Sequence, residues 1–154
     1  MGTDRYKILF DLAPLCLHEI DAAGRLLTMN QAGLTWVGAA SEEAIRGRDY
    51  LDFVSPSDQD RVRRLMADAF AGQACEFEYS AVAGSRPHHY TSCLIPCPNT
   101  EGHIESLLGI SGDITRHQET EAELRHLGRT YALLSHCNHS LARALGEREL
   151  LKAF

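Results

Sequence analysis

The chain has 154 residues, 44% of them hydrophobic, and its 15 basic and 21 acidic residues give a net charge of −6. That is apolar material for one core and an appendage; with no Lys/Arg cluster denser than Arg61, Arg63 and Arg64 it offers no nucleic-acid face, and without a run of about eighteen apolar residues it offers no membrane span. Five Cys, an odd number in a chain lacking a signal-peptide pattern, read as free thiols in a reducing compartment, which points to a cytoplasmic protein.

From Asp4 to Ala13, the residues Tyr6, Leu9, Phe10 and Ala13 fall at helical spacing, which predicts a short amphipathic helix stopped by Pro14. Residues 15–20 read as a strand, Asp21-Ala22-Ala23-Gly24 as a turn with Asp first and Gly last, and 25–29 as the return strand. Asn30 is placed to cap the next helix, which carries Ala32, Leu34, Trp36 and Val37 and closes at Gly38. Ser41, followed by Glu42 and Glu43, starts another helical turn that Gly47 breaks. Tyr50, Leu51, Phe53 and Val54 form an apolar cluster.

Ser55-Pro56-Ser57-Asp58 is a helix start, with Ser55 as cap, Pro56 at the first helical position and Asp58 facing the positive end of the dipole. In that helix, which Gly72 ends, Val62, Leu65, Met66, Ala69 and Phe70 form one apolar stripe. Strands follow at hairpin spacing, over 75–81, 88–95 and 103–114. In the last, Ile104, Ser106, Leu108, Ile110, Gly112 and Ile114 share one face, and Glu105, Leu107, Gly109, Ser111 and Asp113 the other. The order of elements predicts an α+β fold, an antiparallel sheet with helices on one face.

From Thr115, itself placed to cap, the spacing turns helical. Leu124, Leu127, Tyr131 and Leu134 fall on a heptad seam, with Asn138 at a central position, which favours a paired, in-register coiled-coil homodimer. The same leucines would also serve to pack the helix on the chain's own sheet, and Gly128 weakens an isolated helix.

The stretch Gly109 to Arg116, ending Asp113-Ile114-Thr115-Arg116, resembles the end of a PAS domain, the small sensor module of bacterial signalling proteins. The resemblance extends over residues 5–116: the hairpin closed by Asn30, then Trp36-Val37-Gly38, Ile45-Arg46-Gly47 and Phe53-Val54. Ser55-Pro56-Ser57-Asp58 stands where the family usually has His-Pro-Asp-Asp. The resemblance implies a five-stranded antiparallel sheet with short helices on one face and a ligand pocket between them. It also implies that Asp113, Ile114, Thr115 and Arg116 relay a signal into the exit helix. The chain then divides into a cap helix (1–14), the sensor domain (15–115) and a signalling helix (116–145). A short similarity of residues 133–151 to the start of a GAF-type domain would make 146–154 the beginning of a further module. The function so implied is sensory, with a histidine kinase or diguanylate cyclase as the output domain in cis. The rival reading is a ligand-free dimerisation scaffold.

The pocket would be lined by Trp36, Phe53, Met66, Phe70, Tyr79, Cys93 and Leu108; a fully packed core competes with it. His89, Cys93 and Cys97 share a strand face, but residues four apart on a strand are separated by ~13 Å, too far for one metal ion. Haem-binding relatives carry their His in the longer middle helix, and residues 56–71 contain none. The Asn-Cys-Arg-Phe-Leu-Gln segment of covalent flavin sensors is absent, whereas Trp36 leaves non-covalent flavin open. His126, His136 and His139 read as solvated helix residues, and neither a nucleophile–base–acid order nor a P-loop is present, so an enzyme is not expected.

Overall fold

The computed structural model describes residues 2–83, 86–130 and 132. The chain divides into two units, residues 1–115 and 116–154. The first contains helix α1 (Gly2–Leu12), strands β1 (Cys16–Asp21) and β2 (Leu26–Met29), helix α2 (Gln31–Val37), short 3-10 turns at Glu42–Ala44 and Tyr50–Phe53, helix α3 (Pro56–Phe70), and strands β3 (Cys75–Ala83), β4 (Arg86–Pro98) and β5 (Ile104–Asp113). The five strands form one antiparallel sheet in the order β2-β1-β5-β4-β3. The α+β architecture read from the sequence is the observed one.

One face of the sheet is covered. Cys16, His18 and Ile20 of β1, Phe77 and Tyr79 of β3, Tyr90, Ser92 and Leu94 of β4, and Leu107 and Ser111 of β5 are buried there. Against them lie Leu34 of α2, Ile45, Tyr50, Leu51 and Val54 of the turn region, and Val62, Met66 and Ala69 of α3. The α3 residues are the buried part of the stripe read from its helical period.

The inner face of β5 differs from the expected one. Leu107, Gly109 and Ser111 point inward, whereas Leu108 and Ile110 are half-buried on the opposite face. The pairing explains why. Gly109 lies opposite His18, and a Cβ at Gly109 would come within 2.1 Å of His18 Nε2. Leu107 packs inward, but beside it the inner face of β5 stays small, at Gly109 and Ser111, where the His18 ring needs room, and Leu108 and Ile110 lie on the outer face.

Two expected caps are also replaced. Ser55 makes no side-chain cap bond; its backbone N–H donates to Ser80 O at 2.7 Å and ties the start of α3 to β3. Asp58 does the rest, its Oδ2 accepting from Ser80 N at 2.8 Å while its Oδ1 pairs with Arg61 at 3.0 Å. Ser41 likewise makes no side-chain cap bond.

In the second unit, residues 116–130 are helical, with Arg125 and Glu121 paired at 3.1 Å across one turn. Leu124 is 64% and Leu127 63% exposed. The remaining seam positions Tyr131, Leu134 and Asn138, and the GAF-like stretch with 146–154, lie outside the described residues. Among the described residues no helix is long and apolar enough to cross a membrane.

Candidate functional site: a lined cavity and the strand end beside it

Between the sheet and the helical layer lies a cavity of about 220 Å³. Cys16 and His18 come from β1, Met29 from β2, and Gly33, Trp36 and Val37 from α2. Tyr50, Asp52 and Phe53 of the second 3-10 turn, with Arg48 before it, close another side. Tyr79, Ala81, Tyr90 and Ser111 project from β3, β4 and β5. The period of two puts the strand residues on one face. The Asn30 side chain, accepting from Gly33 N at 3.1 Å, fixes the start of the helix that brings Trp36 to the same space.

The walls are aromatic. Trp36 and Tyr90 stack at 5.4 Å, Tyr79 and Tyr90 lie 5.6 Å apart, and Tyr50 meets Tyr79 edge-on at 6.4 Å. His18 stacks on Tyr50 at 5.1 Å with a 16° tilt. At the rim the Arg48 guanidinium sits 4.6 Å over the Phe53 ring and 3.8 Å from Asp52.

The buried titratable groups of the inner wall, His18, Tyr50 and Cys16, are neutral at physiological pH, while Arg48 and Asp52 stand at the rim. Burial holds His18 down to about 4 and pushes the Tyr50 hydroxyl and the Cys16 thiol up to about 12. His18 Nδ1 lies 3.5 Å from Cys16 Sγ, and Ser92 and Ser111 hydroxyls bond each other at 2.9 Å. His18 Nε2 and the Tyr50 hydroxyl, both buried, have no hydrogen-bond partner. Electrostatically the Tyr50 hydroxyl feels those of Tyr79, Ser92 and Ser111, but none of them reaches it in hydrogen-bonding geometry. A buried polar atom left unpaired costs ~1–3 kcal/mol, and both residues that carry these two atoms border the cavity.

Of the residues singled out from the sequence, Trp36, Phe53 and Tyr79 line this cavity. Met66 and Phe70 border a separate, open depression with Gly24, Leu51 and Ile104. Leu108 sits on the outer face of the sheet, and so does Cys93, whose neighbours Ser92 and Leu94 are the buried ones. His18, Tyr50, Tyr90 and Ser111 were not legible as lining residues. His18 reads as one more position of an alternating strand, and its signal is the glycine that faces it across the sheet.

A flavin with its phosphate tail is a ligand of drug size, and pockets for such ligands run to ~300–1,000 Å³. The present cavity, at about 220 Å³, is smaller than that range. Among the described residues no three His, Cys, Asp or Glu side chains converge on a metal position.

The cavity abuts the end of β5. Tyr90, which lines it, stacks on His88 at 6.3 Å, and His88 Nδ1 is 3.7 Å from Asp113 Oδ2. Asp113 Oδ1 accepts from Thr115 N at 2.9 Å. The Thr115 hydroxyl, expected to cap its own helix, instead accepts from His89 N at 2.9 Å, and Ile114 N donates to His89 O at 2.8 Å. The Asp113-Ile114-Thr115 step is thereby fastened to β4 at two consecutive residues. Burial first, then the charge of Asp113, pushes the Tyr90 hydroxyl up to about 12.

A family model described as the PAS fold matches residues 10–119. Among solved structures, the chain is similar to the PAS domain of a protein from Colwellia psychrerythraea, with 19% identity and a TM-score of 0.68 over 75% of this chain and 99% of that one. It is similar to the PAS domain of an HTR-like protein from Haloarcula marismortui, with 21% identity and a TM-score of 0.63 over 73% and 92%. It also resembles a domain of the sensory box sensor histidine kinase/response regulator from Geobacter sulfurreducens, with 18% identity and a TM-score of 0.61 over 73% and 94%. No curated protein matches it. The fold, the matched span and the fastened Asp113-Ile114-Thr115 step agree: this chain belongs to the PAS family.

Proposed function

We propose that the chain is the sensory module of a signal-transduction protein, not an enzyme, and that the cavity holds a small molecule whose presence is read at Asp113 and Thr115. One observation carries this: the cavity wall and the strand end share side chains, from Trp36 through Tyr90 and His88 to Asp113. A ligand that moves Tyr90 moves the partner of Asp113, and Asp113 holds the Thr115 amide. Ile114 and Arg116 then belong to the segment that carries the shift into the helix. The output domain in cis is a histidine kinase or a diguanylate cyclase. The exposed Leu124 and Leu127 favour a homodimer through that helix, and the setting is the cytoplasm.

Asp113→Ala tests the relay. The substitution removes a half-exposed side chain, so circular dichroism of the variant keeps the wild-type spectrum. In the parent protein, the output activity loses its response to the stimulus. An unchanged response removes Asp113 from the mechanism. Native mass spectrometry of freshly purified chain separates this reading from a ligand-free scaffold: a bound small mass supports sensing, and a dimer that never carries or accepts one supports scaffolding.

A further inference from the structure

The lining of the cavity narrows the chemistry of its occupant. A dry cavity of ~150 Å³ already admits benzene, and this one measures about 220 Å³. That room suits one substituted ring or a fused pair. The walls offer ring faces at Trp36, Tyr50, Tyr79 and Tyr90, which favour a flat, offset-stacking guest. His18 Nε2 and the Tyr50 hydroxyl have no partner, so a purely apolar guest would leave both unpaired.

An ion is disfavoured inside. His18 is neutral, held down to about 4 by burial, and no other cationic side chain lines the inner wall. The nearest cation, Arg48, is exposed at the rim, where Phe53 and Asp52 already engage it. A carboxylate drawn into this space would lose its water without gaining a counter-charge.

We propose that the cavity takes a small, uncharged aromatic molecule bearing a hydroxyl or ring N–H, with its ring among Trp36, Tyr79 and Tyr90 and its polar edge toward His18 and Tyr50. This rests on the sensory reading only in treating the cavity as a ligand site. It adds what that reading lacks, a ligand class and the two groups that select it.

Trp36 is the sole tryptophan and lines the cavity, so its fluorescence reports occupancy directly. The full 154-residue chain is titrated at neutral pH with phenol, toluene and benzoate, exciting at the red edge where phenol is transparent. Phenol gives a saturable change in Trp36 emission, toluene binds about fivefold more weakly for want of one hydrogen bond, and benzoate gives none. Tyr50→Phe, which removes only the hydroxyl, and His18→Gln each narrow the gap between phenol and toluene. Calorimetry with phenol repeats the comparison without relying on the indole. Benzoate binding as tightly as phenol overturns the ligand class while the sensory reading stands. A phenol–toluene gap that survives both substitutions overturns the roles of Tyr50 and His18. Absence of saturable binding by all three overturns the proposal, and the sensory reading is then judged by the Asp113→Ala output assay alone.

Discussion

His18 concentrates the physics of this chain in one side chain. It is 1% exposed, stacked on Tyr50, and lodged over Gly109 because no other residue leaves room for its ring. Burial lowers its folded pKa to about 4 from the ordinary 6.5. Between those values the unfolded chain binds a proton that the folded chain refuses. Stability from this group is therefore fully present above pH ~6.5 and is lost as pH falls toward 4, by roughly 2 kcal/mol between pH 7 and 5. Urea denaturation of wild type and His18→Gln at the two pH values checks it. The wild type shows the larger drop; equal drops mean His18 is solvated or titrates normally. The strand alternation makes Cys16, His18 and Ile20 legible as one face, but not that the imidazole is, among the described residues, the largest polar side chain to be fully buried. Nor is it legible that β5 answers with Gly109 and Ser111 inward, leaving Leu108 outside. Apolar-inward is a rule for packed cores, and it inverts where the inner face must stay small.

At the scale of elements, Asn30 is the joint. Fully buried, it accepts from Leu17 N at 3.0 Å and Gly33 N at 3.1 Å, and donates to Phe10 O at 2.8 Å and Leu15 O at 2.9 Å. One side chain thus joins the ends of α1, β1 and α2. Asn30→Ala strands the buried Gly33 N–H and removes three part-buried bonds, and is expected to cost about 3 kcal/mol. Chemical denaturation measures it, and a cost below about 1 kcal/mol means these bonds are replaced by water. The capping role of Asn30 was readable from its place after a strand and before a helical period. Its bonds back to Phe10 and Leu15 were not, because they depend on where the chain returns in space. Ser55 and Thr115 make the same point. Both have cap chemistry, yet Ser55 ties to β3 through its backbone N–H and Thr115 spends its hydroxyl on β4, partners that no local pattern reveals.

For the whole molecule, strand periods and Gly/Pro punctuation made the order of elements legible, while the cavity arises from register, which only the folded sheet displays. Sensing by this domain requires that occupancy of the cavity be felt at the β4–β5 end. Hydrogen exchange of the full chain with and without saturating phenol reads it most directly. Protection is expected to change at the amides of His89 and Thr115, the pair bonded through the Thr115 hydroxyl and the Asp113 carboxylate, and to stay unchanged there in Asp113→Ala. Protection that changes around Trp36 and Tyr50 but not at His89 and Thr115 would show that the ligand binds without being read, and would contradict it.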